Sequence, residues 1–130
     1  MNLVVDASMV VAALVDNTDV GRWAEGLLAE HALAAPHLLL VEVTNILRRV
    51  SLAGHLAPAI ASQAHADLLG LRIELFAYEP FAARVWALRD NFTSYDAWYV
   101  AIAESIDAPL ATIDMRLVRA SGSRCRFSTP

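Results

Sequence analysis

Asn2-Leu3-Val4-Val5-Asp6 is a short apolar run, rich in β-branched residues, that stops on a carboxylate. Such a run reads as a buried strand. Ser8, just beyond it, is placed to cap a helix that reaches Leu14. The same arrangement returns far down the chain: Pro109-Leu110-Ala111-Thr112-Ile113 is again apolar, is followed by Asp114, and leads into a short helix from Met115.

Between these ends the pattern alternates. Helices are predicted over residues 19–31, with Trp23, Leu27 and Leu28 inward, and over residues 37–51. In the second, Leu39, Val43, Ile46, Leu47 and Val50 keep helical spacing and Gly54 closes the segment. Pro58 begins a helix to residue 69, Pro80 one to residue 89, and Thr93 one with Trp98, Ile102 and Ile106 inward. Residues 72–78 read as a strand and residues 124–128 as a last edge strand. Strands alternating with helices imply a three-layer α/β/α architecture with a central parallel sheet of four or five strands. In such sheets the working site lies at the carboxyl ends of the strands, where Asp6 and Asp114 fall.

The 130 residues contain no linker, repeat or low-complexity segment and read as one domain over residues 1–130. A hydrophobic fraction of 57% and a mean hydropathy of +0.44 are high; much of this is alanine, which suits tightly packed helices and also apolar surface covered by a partner. The single cysteine, Cys125, excludes an internal disulfide and reads as an ordinary thiol. The start lacks a basic segment and meets an acid too early for a signal peptide. The longest apolar stretch, residues 32–41, is broken by Pro36 and His37 and is too short for a membrane span. A soluble, cytoplasmic protein is expected.

The net charge of −4 argues against a generic, charge-driven binder of nucleic acid. It leaves room for an enzyme acting on nucleic acid, because bound divalent cations reverse the local sign. All ten basic residues are arginine. Four of them, Arg116, Arg119, Arg124 and Arg126, lie near the C-terminus, where a solvated face and a phosphate-contacting patch both fit.

Four carboxylates stand out. Asp6 and Asp114 each end an apolar strand, where an unpaired charge is costly unless a cation or a proton compensates it; either could instead cap the helix that follows. Glu42 sits inside Leu38-Leu39-Leu40-Val41-Glu42-Val43, three residues before Asn45 on the same helix face, although a solvent-facing glutamate has the same pattern. Asp96 follows Thr93-Ser94-Tyr95, which also fits a capping box. Together, three or four such acids from separate segments can supply the oxygen ligands of Mg²⁺ or Mn²⁺. A metal so held can generate hydroxide and stabilise charge on a phosphodiester oxygen. Asp16, Asp19, Asp67, Asp90, Asp107 and Glu104 read as solvated or turn positions.

Other chemistries lack support. There is no Gly-rich phosphate-cradling motif. His31, His37, His55 and His65 have no zinc-ligand spacing, and Cys125 has no evident catalytic partner. Trp23, Trp86 and Trp98 fall on apolar helical faces and read as core, with an interface as the alternative.

Taken in order, Val4-Val5-Asp6-Ala7-Ser8, the helix of residues 36–49 with Glu42 before Asn45-Ile46-Leu47, Thr93-Ser94-Tyr95-Asp96-Ala97-Trp98-Tyr99-Val100-Ala101 and Leu110-Ala111-Thr112-Ile113-Asp114-Met115-Arg116-Leu117 resemble the four acidic motifs of PIN domains. The agreement runs over nearly the whole chain. Its length and style resemble the VapC toxins of bacterial type II toxin–antitoxin systems. The resemblance implies a magnesium- or manganese-dependent endoribonuclease that cuts RNA, a homodimer, and inhibition by a cognate VapB-type antitoxin. By matching position it implies Asp6, Glu42, Asp96 and Asp114 as catalytic metal-site acids, with Ser8 and Thr112 as supporting hydroxyls. Met115 departs from the pattern, in which a basic residue often follows the last acid. A PIN-like nuclease that is not a toxin, or a module that only binds protein, would share much of this sequence.

Overall fold

A computed structural model describes residues 2–130. Its elements are β1 (Asn2–Val5), α1 (Ala7–Val15), α2 (Asp19–Glu30), β2 (Ala32–Pro36), α3 (Leu39–Leu52), α4 (Pro58–Gly70), β3 (Ile73–Phe76), a 3₁₀ turn (Glu79–Phe81) running into α5 (Ala82–Ala87), α6 (Ser94–Ser105), β4 (Leu110–Ala111), α7 (Met115–Arg119) and β5 (Phe127–Ser128). The five strands form one parallel sheet in the order β3-β2-β1-β4-β5. This is the expected α/β/α architecture.

The strand order explains the layers. From β1 through β2 to β3 the chain steps in one direction across the sheet, and right-handed crossovers put α1 to α4 on one face. The return from β3 to β4 steps the other way and puts α5 and α6 on the opposite face. Helix α1 packs on α2, α3 and α4, while α6 lies against β1, β2 and β4 with α5 behind it. The direction reverses between β1 and β4, and this is where open α/β sheets bind their ligands. The sheet centre is fully apolar: Leu3, Val4, Val5, Leu33, Ala35, Leu110 and Ala111 pack against Met9, Val10, Leu39, Val43, Val100 and Ile102.

Several expectations need correction. Strand β2 was not anticipated; its residues Ala32-Leu33-Ala34-Ala35-Pro36 read as part of one long apolar stretch. Ser8 is not the cap of α1: Asp6 is, with an extended backbone and a side chain accepting from the Met9 amide. The strand expected over residues 109–113 pairs only at Leu110–Ala111, and the one over residues 72–78 only at Ile73–Phe76. Trp86 is not core; it is 67% exposed on the outer helix α5, with the Arg89 guanidinium 4.6 Å from its ring centroid. Trp23 and Trp98 are half-buried, and Trp98 stacks edge-on against Tyr78 at 5.4 Å. Glu104 is not solvated: its carboxylate takes both nitrogens of the Arg84 fork, at 2.7 and 3.1 Å, and the Arg124 amide at 2.6 Å. It ties α5, α6 and the C-terminal segment together.

The α1–α2 corner yields one prediction. A β-carbon on Gly21 would stand 1.8 Å from the Asp16 carbonyl oxygen, so even alanine forces the corner open. Gly21→Ala should cost about 3 kcal/mol, the upper range for overpacking. Chemical denaturation would read this as a lower midpoint at unchanged slope.

Candidate metal centre

Register between β1 and β4 builds the site. Val5 lies opposite Ala111, and the Asp6 amide donates to the Ala111 carbonyl at 3.2 Å. Asp6 and Thr112 therefore leave the sheet side by side. Both are buried, Asp6 at 7% exposure and Thr112 at 0%. The Thr112 hydroxyl donates to Asp6 Oδ2. Asp6 Oδ1 accepts from the Ser8 hydroxyl at 2.7 Å and the Met9 amide at 3.0 Å. Ser8 Oγ accepts the Ile113 amide at 3.2 Å, and Thr112 Oγ1 accepts the Asp114 amide at 2.9 Å. The two hydroxyls thus knit the ends of β1 and β4 and fix the carboxylates that follow.

The other acids arrive from helices on both faces. Glu42 is in the first turn of α3, and Asp96 is in the first turn of α6, where its amide donates to the capping Thr93 hydroxyl at 3.1 Å. Asp114 caps α7 and accepts the Arg116 amide at 3.0 Å. All four carboxylates, with Ser8 and Tyr99, line one cavity of about 130 Å³. Capping and clustering therefore coexist: Asp6 and Asp114 cap their helices and also face the shared cavity.

Tyr99 is the residue that the sequence reading missed. Its hydroxyl donates to Glu42 Oε1 at 2.6 Å, joining α6 to α3 across the cavity, and its side chain is 2% exposed. The available signal was spacing, since Tyr99 lies three residues after Asp96 on the same face of α6.

Charge is under-compensated here. Asp6 is held above the ordinary carboxylate range first by burial and further by Asp96, with the bonds from Thr112, Ser8 and Met9 acting against the rise. Burial raises Glu42 as well, opposed by the Tyr99 bond and reinforced by Asp96 and Asp6. Asp96 is raised by burial and then by Asp114, while Thr93 and Arg116 pull it back. Burial and the Glu42 carboxylate push the Tyr99 phenol far up, so it stays a hydrogen-bond donor. Among the described residues no three His, Cys, Asp or Glu side chains stand as a closed metal cluster. The donor set nevertheless suits a hard divalent cation: it offers carboxylate oxygens only, with hydroxyls behind them, and neither cysteine nor histidine.

Comparison with known proteins agrees with this arrangement. The PIN domain family matches residues 3–122. Ribonuclease VapC1 of Mycobacterium tuberculosis is 41% identical over 128 residues, covering 95% of this chain and 94% of that protein. Ribonuclease VapC9 of the same organism is 33% identical over 123 residues, with the same shares covered. Among solved structures, VapBC2 from Rickettsia felis bound to a DNA fragment from their promoter superposes with a TM-score of 0.69 at 15% identity, over 99% of this chain and 98% of that one; this likeness bears on the fold. From its motifs, its sheet order and these relatives, the chain belongs to the PIN-domain family and, within it, to the VapC ribonucleases.

Proposed function

We propose that this protein is a single-domain, metal-dependent endoribonuclease, the toxic component of a type II toxin–antitoxin system, acting in the cytoplasm as a homodimer and neutralised by a VapB-type antitoxin. The observation that carries the reading is the convergence of Asp6, Glu42, Asp96 and Asp114, from four separate segments, on one cavity at the sheet's reversal point. Relatives named as ribonucleases support RNA as substrate. Val41, Leu52, Ile60, Leu69 and Trp86, all more than half exposed, supply apolar surface that a second copy and an antitoxin would cover.

The four acids would hold Mg²⁺ or Mn²⁺, which when bound supplies an activated water and charge stabilisation at the phosphodiester. The protein's own part is orientation. Ser8 and Thr112 fix Asp6, and Tyr99 fixes Glu42. Cleavage of an RNA panel by pure protein, compared in Mg²⁺, Mn²⁺ and chelator, tests the reading. Cleavage that ignores the chelator, or none with either metal, would overturn it.

Tyr99→Phe separates positioning from packing. The ring stays and only the bond to Glu42 is lost. Groups that orient metal ligands typically contribute ten- to a hundredfold in affinity. Isothermal titration with Mn²⁺ should therefore show roughly tenfold weaker binding, while circular dichroism remains that of the parent.

A further inference from the structure

A second chamber opens beside the carboxylate cavity and shares two of its walls. It has a volume of about 210 Å³, and its polar lining is Asp96, Asp114, Asn91, Thr93 and Arg116. Its apolar lining includes Phe92 and Leu117, both buried. It is smaller than a site for a whole drug-sized ligand, and its size suits one unit of a longer chain. Apolar side chains, an amide, a hydroxyl and an exposed guanidinium in one lining suit a nucleotide: base against the apolar groups, polar edges on Asn91 and Thr93, phosphate on Arg116.

The four C-terminal arginines differ in place. The Arg126 guanidinium reaches the Asp107 carbonyl at 3.0 Å, and Arg124 lines a different cavity beside Arg84 and Glu104. Among the described residues only Arg116 lines the side chamber, and no arginine lines the carboxylate cavity. Arg116 is held loosely. Its contacts to the Asp114 carboxylate are long, 3.4 and 3.5 Å, and its side chain is 92% exposed. A pair so exposed contributes little, so the guanidinium can turn to a better anion at small cost. A phosphodiester is such an anion, because its two free oxygens match the arginine fork.

We propose that this side chamber seats the nucleotide adjoining the cleaved phosphodiester, with Arg116 paired to that nucleotide's phosphate. The proposal rests on the ribonuclease reading and adds a substrate-positioning residue to it.

The test uses the full chain in an Asp6→Asn background, which keeps the RNA intact, and a fluorescein-labelled single-stranded RNA oligonucleotide in Mg²⁺. Anisotropy gives Kd at several salt concentrations. Arg116→Ala should bind about tenfold more weakly, and the slope of log K against log salt should shrink by about 0.7, the value for one phosphate contact on a single strand. Arg116→Lys should keep the slope, since it keeps the charge, and recover only part of the affinity. In the otherwise unaltered enzyme Arg116→Ala should raise KM more than it lowers kcat. Unchanged affinity and slope in Arg116→Ala, with parent cleavage intact, would overturn this proposal alone. A fall in kcat with unchanged slope would do the same, by making Arg116 a support for Asp114. Failure of the parent to bind or cleave any RNA would overturn both readings.

Discussion

Asp6→Asn and Asp96→Asn should each remove RNA cleavage, by on the order of a thousandfold or more, the scale expected when one member of a concerted catalytic unit is lost. Both should leave the fold intact. The substitution keeps the shape of the side chain and takes away one negative oxygen donor. The cap on α1 survives it, because asparagine caps a helix about as well as aspartate and its carbonyl can still accept the Met9 amide. Thr112 can turn its hydroxyl to accept instead of donate. Stability should equal or exceed the parent's, since the change removes a charge that burial disfavours. Asp67→Asn, on the exposed side of α4 where Asp67 bonds only Gln63, is the control and should change nothing. If Asp6 and Asp96 served only to cap and begin their helices, both variants would cleave RNA like the parent. That result, with metal dependence retained, would sink the proposed site.

The parts of this site that could be read in advance are those where a residue conflicts with its surroundings. An acid ending an apolar strand is such a conflict, and Asp6 and Asp114 were legible for that reason. Glu42 was legible from its aliphatic neighbours. Tyr99 was not, because a tyrosine on an apolar helix face raises no conflict; only its bond to Glu42, 57 residues away, gives it a role. Glu104 failed in the same way. Its partner Arg84 lies on a different helix, and a glutamate near a helix end looks solvated until that packing is known. Strand β2 was hidden by composition. Three of its five residues are alanine, which carries little strand preference, and it is a strand because β1 and β3 pair with it on both sides. Trp86 misled for the opposite reason: α5 has only six residues, too few for periodicity to say which side faces inward.

Chelation and pH should act on the same carboxylates in a linked way. At pH 7.5 the chelated protein is expected to lose cleavage, and Mn²⁺ or Mg²⁺ to restore it. Its melting temperature should also rise with metal, by the free energy of binding to the folded state alone. A hundredfold excess over the dissociation constant is worth roughly 2.7 kcal/mol, on the order of 10 °C for a domain of this size. Without metal, the folded state holds Asp6, Glu42 and Asp96 at raised values. A raised carboxylate binds its proton more tightly folded than unfolded. Its contribution to stability is full below the unfolded value of about 4 and is lost as pH rises through the folded value. The chelated protein should therefore lose stability as pH is raised from about 4 towards neutrality. Glu104 works the other way. Burial, which would raise it, is outweighed by the Arg84 and Arg124 contacts, so its value is lowered. Its contribution is kept above the unfolded value and lost only as pH falls below it, outside this window. Asp6→Asn should flatten the response, chiefly by removing one titrating group and to a lesser extent by removing one of the two charges that add to the effect of burial on Glu42. Metal should stabilise the parent less as pH falls, because protons compete for the same oxygens. A melting temperature insensitive to Mn²⁺ at pH 7.5, with cleavage persisting in chelator, would show that these four acids hold no working metal.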